Sequence, residues 1–365
     1  MTIGVDGGAL SISDDRLKVG VYRVAYNLIR ELARLDVKSF YRIYGFGGGE
    51  EGRRTLDRPN VSFVRLYRPG FNKIWQPIEL LRHRIDVYLG ISQSFPVTLY
   101  DVKKIGFIYD VGFLDHPEYY RESYYALTSQ TSEVVKRSDH IITISHASKD
   151  SIHKRYGVPL KDMSVAYLGV DAIFKKNGQA HATRIPYFLF VGALKPGKNV
   201  PMMLRAFAEF LVESGATYDF ILAGSDYWLD PGISATINAL KLKDRVKIVG
   251  FLDDETLASY YRGATAFVTV SEIEGFGLPA VEAMACGTPV IASDQGSYPE
   301  VVGSAGILVS PKDETGLADT LTKIVADKVL RASLSKAGIL RAKEFRWRKF
   351  AERVLEVLST VIHSS

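Results

Sequence analysis

Short runs of β-branched and aromatic residues alternate along this chain with longer stretches of helical periodicity, and they do so twice. In the first round the spacing predicts strands over 2–6, 40–44, 61–65, 87–89, 104–108 and 140–143, and helices over 21–35, 73–84, 118–137 and 148–156. The second round predicts strands over 187–191, 218–223, 246–249, 266–270, 289–292 and 306–309. Its helices fall over 200–212, 233–240, 254–262, 278–285 and 314–326. Such alternation points to parallel sheets with helices on both faces. Between the rounds the pattern lapses, and a stretch containing Lys, Gly, Asn and Pro reads as a linker. The predicted organisation is an α/β domain over 1–172, a linker over 173–186, a second α/β domain over 187–345 and a terminal helix over 346–365. A length of 365 residues suits two domains.

Composition narrows the possibilities. With 47% hydrophobic and 24% charged residues the chain is not a disordered one. It has no uncharged apolar run long enough to predict a membrane-spanning helix. The single cysteine, Cys286, permits neither a disulfide framework nor a cysteine-based zinc site, and its expected role is packing. Residues Met1 to Leu10 lack the pattern of a signal peptide, so a reducing, cytoplasmic location is expected. The net charge of +5 is uneven. Residues 1–180 hold 26 Lys and Arg against 20 Asp and Glu, and the remainder holds 20 against 21. The excess is densest over 53–84, where Arg53, Arg54, Arg58, Arg65, Arg68, Lys73, Arg82 and Arg84 face only Asp57 and Glu79. Tyr67, Phe71, Ile74, Trp75, Ile78 and Leu81 are interleaved with them. That mixture suits peripheral contact with an anionic membrane at its inner face, or a phosphate-bearing substrate. It equally suits a solvated basic face over a buried stripe. No nucleic-acid-binding motif is visible, so nucleic acid is not an expected partner.

Open α/β sheets bind ligands at the carboxyl ends of their strands. Two such domains facing each other would make a cleft, so the loops after predicted strands carry the candidate chemistry. Gly192 to Asn199 follows a strand and opens a helix. Gly192 and Gly197 permit a tight turn, the helix start offers free N–H groups, and Lys195 and Lys198 add charge, which together suit a phosphate or diphosphate. An ordinary capped turn would look similar. The segment from Glu274 to Glu282 is more specific. Gly275 and Gly277 flank Phe276, and Pro279 stands in the first turn of a helix. The backbone amides of Gly275, Phe276, Gly277 and Leu278 are candidate donors to an anion or a hydroxyl. Glu274 and Glu282, with seven residues between them, could each accept from vicinal hydroxyls, although Glu282 could also serve a local contact. In the first half, Gly20 precedes a helix, and Tyr109 and Asp110 follow a strand. Asp110 suits either a ligand contact or a local turn.

These residues resemble a retaining glycosyltransferase of family 4, with the two-Rossmann-domain GT-B fold. The resemblance takes in the Gly20 loop, Thr143-Ile144-Ser145, Gly169-Val170-Asp171, the Gly192 to Asn199 loop and Gly250-Phe251-Leu252. It continues through the Glu274 and Glu282 pair and Pro299-Glu300 to a terminal helix bearing Trp347. It implies parallel sheets facing across a cleft, an acceptor-binding first domain, a donor-binding second domain and a terminal helix that crosses back onto the first. It implies that Lys198, with Lys195 and Gly192 beside it, meets the donor diphosphate, and that Gly20 packs beside that group. Glu274 would meet the sugar hydroxyls, and Phe276 and Gly277 would offer backbone N–H groups to the sugar and phosphate. Glu282 would hold the ribose, Phe251 and Leu252 the base. Glu274, Asp110 and Lys198 are the implied catalytic set, and Tyr109, Asp110 and Ser145 the candidates on the acceptor side. Two departures stand out. The family often has His-Asp where this chain has Tyr109-Asp110, and an arginine where it has Ala193 or Gly197.

The implied reaction moves a hexose, with mannose from GDP-mannose the first expectation, onto a hydroxyl of a glycan or lipid-linked glycan. UDP-sugars and dTDP-rhamnose stand behind that donor. The acceptor hydroxyl would attack on the face that the leaving phosphate vacates, with no metal and no cofactor beyond the donor itself. A non-catalytic glycosyltransferase-like binding subunit and a nucleotide-sugar epimerase are the rival readings.

Overall fold

A run such as Tyr187-Phe188-Leu189-Phe190-Val191 has no polar face to offer water, so it needs cover on both sides. In the computed structural model it has that cover. The structure describes all residues except 13, 15–19, 47–55, 57, 121–122, 225–229 and 364–365. The chain divides into two units, Met1–Gly169 with Trp347–Ser365, and Val170–Arg346.

Among the described residues the first unit is built on seven strands: β1 (Thr2–Asp6), β2 (Phe40–Gly45), β3 (Val61–Arg65), β4 (Val87–Gly90), β5 (Lys103–Phe107), β6 (His140–Thr143) and β7 (Met163–Val165). Their order is β3-β2-β1-β4-β5-β6-β7, and every neighbouring pair is parallel. Ile3 pairs with Tyr41 on one side and Val87 on the other, so strand order reverses about β1 and β4. The helices are α1 (Val21–Leu35), α2 (Gln76–Arg82), α3 (Tyr124–Arg137) and α4 (His146–Tyr156). Strand β7 was not expected from the sequence pattern.

The second unit repeats the plan with β8 (Tyr187–Val191), α5 (Val200–Ser214), β9 (Asp219–Ala223), α6 (Pro231–Ala239), β10 (Val246–Gly250), α7 (Asp254–Gly263) and β11 (Ala266–Thr269). It continues with α8 (Leu278–Ala285), β12 (Val290–Ser293), α9 (Tyr298–Val301), β13 (Ile307–Val309), α10 (Glu314–Ala326) and α11 (Lys328–Ala342). The parallel sheet runs β10-β9-β8-β11-β12-β13. Phe188 meets Phe207 and Phe210 edge-on beneath it, and Phe207 meets Phe220 in the same way. Burying each such ring contributes roughly 2–3 kcal/mol. Helix α11 was not foreseen because one residue, Asp327, both ends α10 and caps α11, accepting from Leu330 N–H at 2.8 Å. Residues 173–186 run along α7 of this unit. Phe174 is buried edge-on to Tyr261, and His181 stacks on Tyr260 with ring centroids 3.9 Å apart.

The last helix, α12 (Trp347–His363), belongs to the first unit. Its inward face, Trp347, Phe350, Ala351, Val354, Val357, Leu358 and Val361, follows the spacing of a single apolar stripe. It packs on α1 and on β5 and β6, with Phe350 edge-on to Phe107. Phe350→Ala removes that ring from a closed core and is expected to cost roughly 3–5 kcal/mol. A lowered denaturation midpoint checks this, and an unchanged midpoint would mean that the helix contributes little to the unit's core.

Candidate functional site

The loops after β8, β10, β11 and β12 leave the same edge of the second sheet. After β8, the tight turn Pro196–Lys198 leads into α5 through Asn199. Asn199 has φ of 57°, which asparagine tolerates better than most residues. Its side-chain amide holds it there, donating to the Val270 carbonyl at 3.2 Å and the Pro311 carbonyl at 2.9 Å. This anchored turn directs Lys198 toward the loop after β11, where its Nζ meets Glu274 Oε2 at 2.5 Å. The Glu272 N–H adds a second tie, donating to the Gly197 carbonyl at 3.2 Å. Gly192 and Lys195 stand earlier in the same loop, with Lys195 N–H donating to the Ala193 carbonyl.

The loop after β11 ends at Gly277, the residue before α8, with φ of 86°. A side chain there would be strained by that angle, and its β-carbon would lie 2.6 Å from the Tyr298 ring. Gly275, Phe276 and Gly277 are buried, and Phe276 meets Phe345 edge-on at 5.5 Å. Leu278 opens the helix and is half-buried. One turn on, Glu282 is buried and accepts from the Tyr261 hydroxyl at 3.0 Å. Tyr261 is held in turn by Thr288, whose hydroxyl donates to its carbonyl. Phe251 and Leu252 follow β10, and Phe251 is 41% exposed, which leaves an aromatic face open at that edge.

The first-unit candidates stand differently. Gly20 precedes α1 with φ of 42°, and its carbonyl accepts from Val24 N–H. Leu17, Lys18 and Val19, the rest of that predicted loop, lie outside the described residues. Asp110 makes the local turn contact, accepting from Gly112 N–H at 3.0 Å. The Tyr109 hydroxyl donates to the Ile91 carbonyl at 2.7 Å, and burial together with the Asp6 charge holds the phenol well above its usual pKa. Ser145 is engaged locally. It is fully buried as the N-cap of α4, accepting from Ser148 N–H at 3.0 Å and donating to the Ser148 hydroxyl.

The basic segment also resolves into parts, although Arg53, Arg54 and Asp57 lie outside the described residues. Before α2, the Gly70 carbonyl accepts from the N–H groups of Lys73, Ile74 and Trp75, which makes a wide π-helical turn. The extra residue puts Phe71 on the same inward face as Gln76, Pro77 and Leu80. It leaves Ile74, Ile78 and Leu81 pointing outward, 52%, 40% and 50% exposed. Arg65, Arg68, Lys73, Arg82 and Arg84 are exposed around them. Glu79 turns to Arg42 at 2.7 Å.

Residues 19–173 match the family described as Glycosyltransferase Family 4, and residues 171–341 match Glycosyl transferases group 1. The chain belongs to glycosyltransferase family 4. It is 27% identical over 249 residues to O-antigen chain mannosyltransferase B of Escherichia coli, covering 66% of this chain and 65% of that protein. It is 36% identical over 194 residues to O-antigen chain mannosyltransferase RfbU of Salmonella typhimurium, covering 52% of each. The matches thus span about half to two thirds of these relatives' lengths. Among solved structures, the Anabaena protein HepE in complex with UDP-glucose superposes with a TM-score of 0.74 at 18% identity, covering 99% of this chain and 100% of that one. That likeness shows the GT-B fold.

Sequence reasoning missed Asn199, Tyr261 and Tyr298, because each acts on a partner far away in sequence. Cys286, at the end of α8, is buried as expected for a packing residue, and burial pushes its thiol up to about 12. In this family-4 protein the native thiol is expected to react with a disulfide reagent at pH 8 roughly a hundredfold more slowly than after unfolding. The raised pKa adds stability below the free thiol's 9.0 that is lost as pH climbs toward about 12. Equal labelling of native and unfolded protein would contradict this burial.

Proposed function

We propose that this protein is a retaining glycosyltransferase that moves a hexose from a nucleoside-diphosphate sugar to a hydroxyl of a glycan or lipid-linked glycan. The observation that carries the reading is the contact of Lys198 with Glu274. A cation suited to a diphosphate and a carboxylate suited to sugar hydroxyls stand side by side, as diphosphate and sugar do within the donor. In the reaction the bond from the anomeric carbon to the phosphate oxygen breaks. Lys198, Lys195 and the N-terminal ends of α5 and α8 take up the charge that develops on the diphosphate. Glu274 and the backbone of Gly275 to Leu278 orient the sugar. Glu282 holds the ribose, and Phe251 with Leu252 takes the base. The acceptor hydroxyl attacks the same face of the sugar, and its proton passes to the departing phosphate oxygen. Acceptor binding falls to the first unit. Mannose from GDP-mannose is the first donor to try, since both curated relatives described above are named as mannosyltransferases. HepE's complex with UDP-glucose makes UDP-glucose the second.

Glu274 competes with a diphosphate for Lys198, so the two halves of the donor should respond in opposite directions to its loss. In Glu274→Gln, GDP or UDP alone is expected to bind several-fold more tightly, and the matching sugar nucleotide roughly tenfold more weakly with turnover nearly abolished. Lys198→Ala should weaken both classes. Calorimetric binding and transfer assays check this. Wild-type behaviour in both variants would overturn the site, and selective sugar-nucleotide binding without transfer to any tested acceptor would favour the non-catalytic reading.

The outward stripe of Ile74, Ile78 and Leu81, rimmed by Lys73 and Arg82, supports a second element of this proposal: the first unit rests on an anionic bilayer. Apolar side chains would enter the interface while each nearby cation adds about 1 kcal/mol of attraction. Co-sedimentation with phosphatidylcholine vesicles is expected only when phosphatidylglycerol is present. The triple change Ile74→Ser, Ile78→Ser and Leu81→Ser should abolish it. Binding that survives this change would reject the assignment, as would a stripe consumed by self-association in sedimentation velocity.

A further inference from the structure

The carboxylate of Glu274 has a second neighbour besides Lys198, and it comes from the loop after β12. Gly296 has φ of 63°, and a β-carbon there would lie 2.8 Å from the Glu274 carbonyl oxygen and 3.1 Å from its nitrogen. The loop therefore presses directly on the Glu274 backbone. Ser297 N–H donates to the Glu274 carbonyl at 3.1 Å. Tyr298 then turns its ring against Gly277, with only 2% of its surface exposed. Its hydroxyl lies 2.8 Å from the Thr269 hydroxyl and 3.5 Å from Glu274 Oε2, the oxygen that Lys198 holds. One short turn thus touches the backbone and the side chain of Glu274.

The direction of these hydrogen bonds follows from the groups. An ionised carboxylate can only accept, so any bond to it must be donated by the phenol. The phenol has one proton, so its closer contact must then run the other way, from the Thr269 hydroxyl to the phenol oxygen. Burial and the Glu274 charge both push the phenol's pKa well above its usual value, so it stays protonated. With Lys198 at 2.5 Å the ammonium dominates Oε2 and the phenol stands off. A bound diphosphate would draw Lys198 away, and the carboxylate would then have one fixed donor left on that oxygen.

We propose that Tyr298 is the positioning residue for Glu274, holding its carboxylate toward the donor sugar through a Thr269–Tyr298–Glu274 chain once Lys198 has moved to the diphosphate. The inference rests on the reading of Glu274 as the sugar-binding carboxylate. It assigns the Gly296 to Tyr298 turn a task in sugar recognition that nucleotide recognition does not share.

Tyr298→Phe keeps the ring and deletes the hydroxyl. GDP, which has no sugar, is expected to bind this variant within about twofold of wild type. Transfer from GDP-mannose should fall roughly tenfold, more in kcat than in KM, because a displaced carboxylate costs most where geometry matters most. In a Glu274→Ala background the same change should cost almost nothing further. Equal losses for GDP and GDP-mannose would mark a merely structural residue, and full wild-type transfer would overturn the proposal outright. A ligand-free cycle separates this outcome from failure of the glycosyltransferase reading. In a Lys198→Ala background, which leaves Oε2 to the phenol, the melting temperatures of the parent, Tyr298→Phe, Glu274→Ala and the double variant should show a coupling of ~2 °C. Additive shifts would overturn the contact even if the wild type bound no sugar nucleotide at all.

Discussion

The contact of Lys198 with Glu274 exists only because β8 and β11 are neighbours. The two residues are 76 apart in sequence, and each follows its strand by a few positions. Ala266 pairs with Phe188 and Phe267 with Leu189, so the two loops leave the sheet side by side. This is also where strand order reverses, since β9 and β10 lie beyond β8 while β12 and β13 lie beyond β11. At such a reversal the helices that follow the two strands go to opposite faces, and a crevice opens between their starts. The first unit has the same feature between β1 and β4. There Asp6, at the end of β1, accepts from the hydroxyl of Ser94 beyond β4 at 2.9 Å. In both units a carboxylate stands at the reversal. In the first it is buried and spent on the protein's own donors, with desolvation raising its pKa. In the second it is half-buried and shared with a lysine.

That difference has an energetic reading. A carboxylate enclosed by Gly8 N–H and the Ser94 hydroxyl is a fixed structural group. Glu274 instead keeps a partner on a flexible four-carbon stem. A half-buried ammonium left alone would be costly, so pairing with Glu274 stabilises the ligand-free state. The same pairing lowers the affinity for any bare anion, because the anion must displace the carboxylate first. A ligand that brings an anion and hydroxyls together satisfies both partners when the pair opens. The ion pair therefore favours a ligand with both functions over one with a phosphate alone.

The legible part of this chain is the part governed by local periodicity. Strand β8 and helix α8 fall where the apolar spacing put them, and the turn residues Gly277 and Pro279 bracket the start of α8 as their conformational preferences require. The poorly legible parts involve one-residue effects or distant partners. Asp327 divides a continuous helical pattern into α10 and α11. The π-helical turn after Gly70 rotates the following face, so Phe71 goes inward while Ile74 goes outward. From spacing alone both were members of one interleaved set. Ser145 was a candidate through the family resemblance, and its spacing gave no sign that its hydroxyl is engaged by the first turn of α4. Nothing in the local pattern sets Tyr298 apart from Pro299-Glu300 beside it, because its value depends on Thr269 and Glu274 being brought to it by β11.

Tyr109 shows how a single departure from a familiar pattern constrains the chemistry. A histidine there would titrate near neutrality and could shuttle a proton. The tyrosine hydroxyl donates to the Ile91 carbonyl, and its pKa moves further from neutrality because the site is buried and Asp6 is close by. Ionising that phenol would break a hydrogen bond and place a second negative charge near a carboxylate. Its task is to brace the segment after β5 against the segment after β4, and proton transfer is closed to it near neutral pH. In the proposed transfer, the acceptor's proton must then find another base. The departing phosphate oxygen becomes more basic as its bond to the sugar breaks and lies on the face that the acceptor attacks. Locking position 109 as a strut thus strengthens the case for a route in which the substrate supplies its own base.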